Sequence, residues 1–581
     1  MKKLSYYIWK YKFAYLLAIG VMITAVVFDM ISPLINRRLI DNVIVGGRTN
    51  ELGGLLLMML VIGLSRATFN YIKEFTFDIV SVKISAEMRK NLFNHIQSLS
   101  ASFFDRTGTG ELMARVKDDI DRIWDGLSYV GMLMIEVVFH TVLVLFFMYR
   151  LNWKLAILPT FCMILAASIA IFMEKKLGSV YEAISEQNAE LNTVAEENLA
   201  GVRVVKSFAR EKYEIGKFLS KNKRYKELNM KQSKVFIKYY PYLSLITRLL
   251  PAMVLLQGGF MVINGEISLG TLGAFVDYSM NIVWPMEMLG WLTNGLASAF
   301  ASNKKIKKIY AEKPTITEID EPISLTPVRG KITFDNVSFH KEDQFEILKG
   351  ISFTVKPGQT IGIMGATGAG KSSIIHLLQR YYDATGGAIY IDDVDIRHMY
   401  LKELRSAIAQ VMQDVFLFSD TVIENVRLGR RDIVDLNAVR KASRDAQVDN
   451  FIEKMDEKYE TVIGERGVGL SGGQKQRITI ARALARKNPI LVLDDSTSAL
   501  DMETELLIQE TLKEMPATKI IIGHRISAVR HADEIIFLEK GQIAERGTHA
   551  ELMKQRGLYY ETFNAQYGLI ALEQRKVTSC Q

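Results

Sequence analysis

Cysteine is almost missing from this 581-residue chain, which has only Cys162 and Cys580. That excludes a disulfide framework and a cysteine-based metal site. Tryptophan is absent beyond residue 291, although five precede residue 292, and long apolar runs stop near residue 301. No cleavable leader is expected. The apolar stretch after the basic start "MKKLSYYIWKYK" lacks a small-residue cleavage site and is too long for a leader's apolar core. What is present reads as two unlike halves. The length is too great for one domain. A content of 49% hydrophobic beside 23% charged residues is what averaging those halves would give. The net charge of +8 allows nucleic-acid binding or the cytoplasmic loops of a membrane protein. Its distribution favours the loops.

The first half holds six candidate membrane spans, near 13–35, 53–78, 127–149, 153–173, 238–263 and 269–300. Lys and Arg crowd the segment before span 1, the long loops 2–3 and 4–5, and "NKKIKK" after span 6, whereas loop 5–6, "NGEIS", has none. The positive-inside rule then puts both termini and the long loops in the cytoplasm of a plasma (inner) membrane protein, against the lone exception of Arg37, Arg38 and Arg48. Apolar residues at helical spacing carry the spans on into the long loops, which turn at the glycine breaks "DRTGTGELM" and "LAGVRVV". Asp29, Arg66, Glu136, His140, Arg248, Asp277 and Glu287 fall inside spans. Such groups either face an aqueous path or pair with one another. Pro285 is expected to loosen span 6 beside Glu287.

Residues 316–330 are polar, contain two prolines and read as a linker between a membrane domain, 1–315, and an α/β domain, 331–565, with a tail at 566–581. "QTIGIMGATGAGKSSIIHLL" is a strand, a glycine-rich loop and a helix. Gly365, Gly370, Lys371 and Ser372 satisfy G-x-x-x-x-G-K-[ST], and Thr367, Gly368 and Ser373 lie in the same cradle. Backbone N–H groups of such a loop wrap phosphates, helped by the positive helix end. Lys371 is expected to reach the β- and γ-phosphates of ATP, and Ser372 to hold Mg²⁺. The apolar strand "PILVLDD" delivers Asp494 as a second Mg²⁺ ligand. Ser471, Gly472, Gly473 and Gln474 of "LSGGQ" open another helix as a second phosphate nest. One chain has no evident need for two such nests unless the second closes on a nucleotide held by another subunit.

Over nearly its full length the chain resembles a half-size ATP-binding cassette (ABC) exporter of the multidrug-resistance and lipid-flippase type. The motifs are "GATGAGKS", "VMQD", "TVIGERG", "LSGGQ", "LVLDD", "SALD", "GHR" and "ERGTHAEL" in order, with "FFDRTGTGELMARVKDDID" and "AEENLAGVRVVKSFARE" as the two intracellular loops with their coupling helices. The resemblance implies a six-helix all-α membrane domain with long cytoplasmic extensions, then an α/β P-loop ATPase domain. It also implies two such domains facing head to tail around ATP and Mg²⁺. Gln413 would touch Mg²⁺ or water, His524 the γ-phosphate, and Asp501 would close the "SALD" motif. The implied partners are a second half-transporter, the bilayer and a small amphipathic substrate, with no nucleic acid.

Three positions depart from the family pattern. Asp495 stands where a Glu normally polarises the attacking water. It is shorter by one methylene, about 1.5 Å. The site is either an active conservative variant or the degenerate, slow site of a heterodimer whose other subunit supplies the Glu. Lys341 stands where an aromatic usually stacks on adenine, leaving His340, Phe345 or other contacts to replace it; Gly523 replaces a common Ala, with little expected effect. The function expected is ATP-driven export of hydrophobic or amphipathic compounds by alternating access. The alternatives are a lipid or lipid-linked flippase, or a sensor or regulator using ATP as a conformational ligand. An importer is disfavoured because importers usually carry the nucleotide domain on a separate chain, and a DNA-acting ABC ATPase because of the spans.

Overall fold

The computed structural model describes residues 4–341 and 346–567. The chain divides into two units, Met1–Leu99 with Thr107–Lys313, and Ser100–Arg106 with Pro314–Gln581. The second unit thus takes a short segment from within the contiguous 1–315 stretch that sequence suggests.

The first unit is helical. Its long elements are α1 (Lys12–Arg38) and α2 (Leu52–Ser98), followed, after the short α3 (Ala101–Arg106) of the other unit, by α4 (Tyr129–Leu151) and α5 (Trp153–Ala200). The short α6 (Val202–Ser207) leads into α7 (Glu211–Ile263), α8 (Leu269–Asn281) and α9 (Val283–Ala311). Among the described residues, five helical stretches are long and apolar enough to cross a membrane by length and composition. Hydropathy reads 269–300 as one span, but the structure breaks it at Ile282 into α8 and α9. Pro285 lies in the first turn of α9, where its missing N–H costs no helical hydrogen bond.

A core of Met30, Val144, Met148, Leu155, Phe275 and Tyr278 holds these helices together. The Tyr278 hydroxyl donates to the Met30 carbonyl at 2.5 Å, bridging α8 and α1. Several of the intramembrane charges are paired between helices. Arg66 lies 2.8 Å from Asp29, Lys73 lies 2.8 Å from Glu136, and Asn36 donates to Asp277 at 2.7 Å. Pairing of this kind is how charge is tolerated at bilayer depth. The Lys73 side chain is only 4% exposed. Lys73→Met, which strands Glu136, is therefore expected to cost about 3–5 kcal/mol, whereas Lys73→Met with Glu136→Leu recovers most of it. The thermal midpoints of the purified variants read this out.

The second unit is built on two sheets. Four strands, β1 (Ile332–His340), β2 (Glu346–Val355), β4 (Gly386–Ile391) and β5 (Val394–Asp395), pair antiparallel in the order β2-β1-β4-β5. The other sheet runs β10-β9-β3-β8-β7-β6, with β3 (Thr360–Gly365), β6 (Ile408–Val411), β7 (Ile490–Asp494), β8 (Thr518–Ile522), β9 (Glu534–Glu539) and β10 (Gln542–Gly547). Its strands pair in parallel except for β10. Every residue of β7 is buried, as expected of a central strand covered on both faces. Parallel pairing brings the carboxyl ends of β3, β6, β7 and β8 to one edge, where open α/β sheets bind ligands.

Candidate functional site

β3 feeds the phosphate loop, and α10 (Lys371–Leu378) leaves it. Gly365 has φ +146°, and a Cβ there would come within 2.3 Å of the Leu538 carbonyl oxygen. Only glycine fits that close approach. Gly370, the N-cap of α10, is left-handed at φ 97°. Thr367 and Gly368 are exposed at the loop's crest, and the Ser373 N–H donates to the Gly370 carbonyl at 3.1 Å. Positive-φ glycines of this kind are what a loop needs in order to wrap N–H groups around a phosphate. Lys371 is 7% exposed. Its Nζ donates to the Gly365 and Ala366 carbonyls at 2.9 Å each. Burial pushes its pKa below the ordinary lysine value, while Asp494 and Asp495, which it faces, oppose that shift.

Asp494 ends β7 and is 5% exposed. Burial pushes its carboxyl above the usual range, against a hydrogen bond from Ser372 and the neighbouring His376 and Lys371; Asp495 adds to the rise. An incompletely compensated buried carboxylate beside a hydroxyl is a hard-oxygen pair that suits Mg²⁺, an ion commonly held by one or two protein oxygens plus substrate phosphates. Asp495 follows in the left-handed region at φ 44°. Aspartate is among the residues that enter it most readily. Its N–H donates to the Ile522 carbonyl at 2.9 Å, fixing the turn to the neighbouring strand.

The register sets out the rest. Val411 of β6 pairs with Leu493, and Asp494 pairs with Ile522 of β8. Gln413, exposed two residues beyond β6, and His524, two beyond β8, therefore flank the two acids. His524 and the loop residues Gly365, Ala366 and Thr367 line one cleft of about 430 Å³. The His524 carbonyl is held at 2.6 Å by the Gln566 amide, which fixes the loop backbone.

Ser471 caps α11 (Gly472–Ala485) in a reciprocal box with Gln474, leaving the first N–H groups of a well-formed helix at the surface. Among the described residues no hydrogen bond or ion pair joins Ser471–Gln474 to Gly365–Ser373. Asp501 caps α12 (Met502–Glu514), accepting at 2.9 Å from both the N–H and the hydroxyl of Thr504. Those two bonds hold its carboxyl below the usual range.

One residue and one pairing were not singled out by sequence. Gln476, 2% exposed, donates to the Asp495 carbonyl at 3.3 Å and accepts from the Ala499 N–H at 3.1 Å. It ties α11 to the turn carrying Asp495. A polar residue at an inward position of an otherwise apolar helix face was the available signal. Gln476→Leu is expected to cost about 1–3 kcal/mol by stranding both backbone groups. A lowered thermal midpoint and slower ATP hydrolysis would show it. The pairing is at the base end. His340 is exposed, Phe345 lies outside the described residues, and Lys341 pairs with Asp105 at 2.5 Å.

Residues 15–286 match the family model described as ABC transporter transmembrane region, and residues 348–498 match the one described as ABC transporter. The chain is 33% identical over 576 residues to a putative multidrug export ATP-binding/permease protein of Bacillus subtilis (strain 168), covering 97% of this chain and 99% of that protein. It is 32% identical over 530 residues to an ATP-dependent lipid A-core flippase of Syntrophus aciditrophicus (strain SB), covering 91% and 88%. Among solved structures, a bacterial Atm1-family ABC exporter with ATP bound superposes with a TM-score of 0.82 at 27% identity, covering 96% and 98% of the two chains.

Proposed function

This chain belongs to the ABC transporter family as an exporter, a multi-pass membrane protein joined to an ATP-binding domain, and on that premise we propose that it is one half of a dimeric efflux pump for hydrophobic or amphipathic compounds. The observation that carries the reading is the division of the phosphate-binding parts. The loop, Asp494, Asp495 and His524 gather at one sheet edge, while the Ser471–Gln474 nest is formed and capped without touching that loop. A second chain, facing head to tail, supplies each loop with its missing nest.

In this reading Lys371 and the loop N–H groups bind the β- and γ-phosphates, and Ser372 and Asp494 hold Mg²⁺ with Gln413 nearby. Bound between those two oxygens, Mg²⁺ would supply charge neutralisation to the phosphates. His524 donates toward the γ-phosphate, and Asp495 orients the attacking water. ATP favours the closed pair by binding it better than the open one, which is what any ligand-driven switch requires. The nucleotide domain and both termini face the cytoplasm. With Asp495 one carbon short, this chain is the slow-site member of a heterodimer whose other subunit carries the longer acid. The flippase reading keeps the same machine with a lipid as cargo, and the likeness to a lipid A-core flippase supports it.

Reconstitution of this chain together with its partner half-transporter in lipid vesicles tests the proposal. ATP-dependent movement of a cationic amphipathic dye, with hydrolysis stimulated by that dye, is the expected result. Stimulation by phospholipid alone would assign the flippase. ATP binding without stimulation by either cargo would defeat the pump reading.

A further inference from the structure

Lys341 directly follows β1, at the edge of the phosphate loop. Leu348 of β2 pairs with Phe339 of β1, and a Cβ placed on Gly370 would meet Leu348 Cδ2 at 2.6 Å and the Ile347 carbonyl oxygen at 3.1 Å. The end of this sheet therefore abuts the start of α10. The Lys341 ammonium is engaged elsewhere. Its Nζ lies 2.5 Å from Asp105 Oδ2, on α3, and 5.3 Å from the centroid of the Tyr382 ring. The Tyr382 hydroxyl donates to the same Asp105 carboxylate. Burial works against that charge, but the hydrogen bonds from Lys341 and Tyr382 outweigh it and hold the carboxyl below its usual range.

The Tyr382 ring is braced on two sides, with Phe339 of β1 at 5.6 Å and His376 of α10 at 6.1 Å between centroids. One cluster thus contains the strand end beside the ATP site, the helix that leaves the phosphate loop, and α3. The backbone before α3 is tied down as well, because Ser100 Oγ accepts from the N–H groups of Thr315 and Ile316 at 2.8 and 3.1 Å. α3 follows α2 in the chain after two residues, so whatever moves α3 pulls on a 47-residue helix.

We propose that Lys341, Asp105 and Tyr382 form an ionic latch in which Lys341 is a positioning residue, fixing α3 to the edge of the ATP site instead of contacting the base. The latch rests on the exporter reading above for its purpose, but its existence is tested separately. Both charged side chains are about two-fifths exposed, at 41% and 38%. A pair so placed shifts an equilibrium by a few-fold, which suits a contact that must be remade in each cycle.

The test uses full-length protein in lipid nanodiscs with three variants: Asp105→Asn, Lys341→Met, and the charge swap Lys341→Asp with Asp105→Lys. Amide exchange over 100–106 and the KM for ATP are measured on each. In both single variants exchange over 100–106 is expected to speed up roughly threefold to fivefold. The KM for ATP is expected to stay within about twofold, and the swap to restore exchange to near wild type. A merely structural loss would not be rescued by reversing the charges. A KM raised about tenfold by Lys341→Met, with exchange over 100–106 unchanged, would assign Lys341 to the nucleotide and overturn the latch. So would a swap as loose as the singles. If the cationic dye ethidium and phospholipid both fail to stimulate wild-type hydrolysis, the pump reading falls, while the exchange result still decides the latch.

Discussion

Lys371→Met is expected to lower ATP hydrolysis by about 10²–10³-fold, the cost of removing one well-placed donor from a developing anion. Methionine keeps an unbranched stem in a position that is 7% exposed, so packing changes little. What disappears is the ammonium facing Asp494 and Asp495. Those two acids would then face the triphosphate with less opposing charge, so ATP binding weakens along with turnover. Steady-state hydrolysis by the full-length variant in lipid, beside binding of a fluorescent ATP analogue, separates the two effects. Turnover kept within about tenfold of wild type would mean that the phosphate loop is not the site of chemistry.

Asp495→Glu is expected to raise hydrolysis by this chain alone about 10²-fold, the size of effect that a shift of roughly 1 Å in a catalytic group produces. Position 495 is left-handed at φ 44°, which aspartate enters more readily than glutamate. That preference is worth at most about 1–2 kcal/mol and bears on the stability of the turn. A 10²-fold gain corresponds to about 2.7 kcal/mol in the barrier. The Ile522 carbonyl and Gln476 also hold the turn from both sides, so the longer side chain should be tolerated. Turnover measured with and without the substitution decides the matter. A wild-type chain that already hydrolyses ATP briskly as a homodimer, with no gain from glutamate, would remove the case for a slow site.

The phosphate loop, the Asp494 strand and the second nest were legible in the sequence because each obeys a local rule. A loop that wraps phosphates needs Gly365 and Gly370 at fixed spacing, and a strand buried on both faces needs the unbroken apolar run 490–493. The helical membrane unit was legible from hydropathy for the same reason. The break at Ile282 was legible only in part: Pro285 marked a weak point in the span, but apolar character continues across it and backbone geometry alone places the interruption. The pairing of Lys73 with Glu136 was hidden too, since Lys73 sits within a predicted span but was not counted among its charges. Least legible was the fate of position 341. Tyr382 and Asp105 lie 277 positions apart, and nothing in either local stretch announces the other. Sequence showed that the expected aromatic was missing at Lys341, and the fold showed which acid the lysine holds.

The lengths of α5 and α7 have a mechanical consequence. At 1.5 Å per residue, 48 and 53 residues make rods of about 70 and 80 Å. The hydrocarbon layer takes only about 30 Å of each. A tilt of about 5° at one end of the longer rod sweeps its far end through about 7 Å, more than one helical turn. Such a lever turns an ångström-scale displacement near its pivot into an opening wide enough to pass a cargo molecule. Stiffness then matters as much as contact, and Pro241 and Pro251, both inside α7, mark where the rod would flex first.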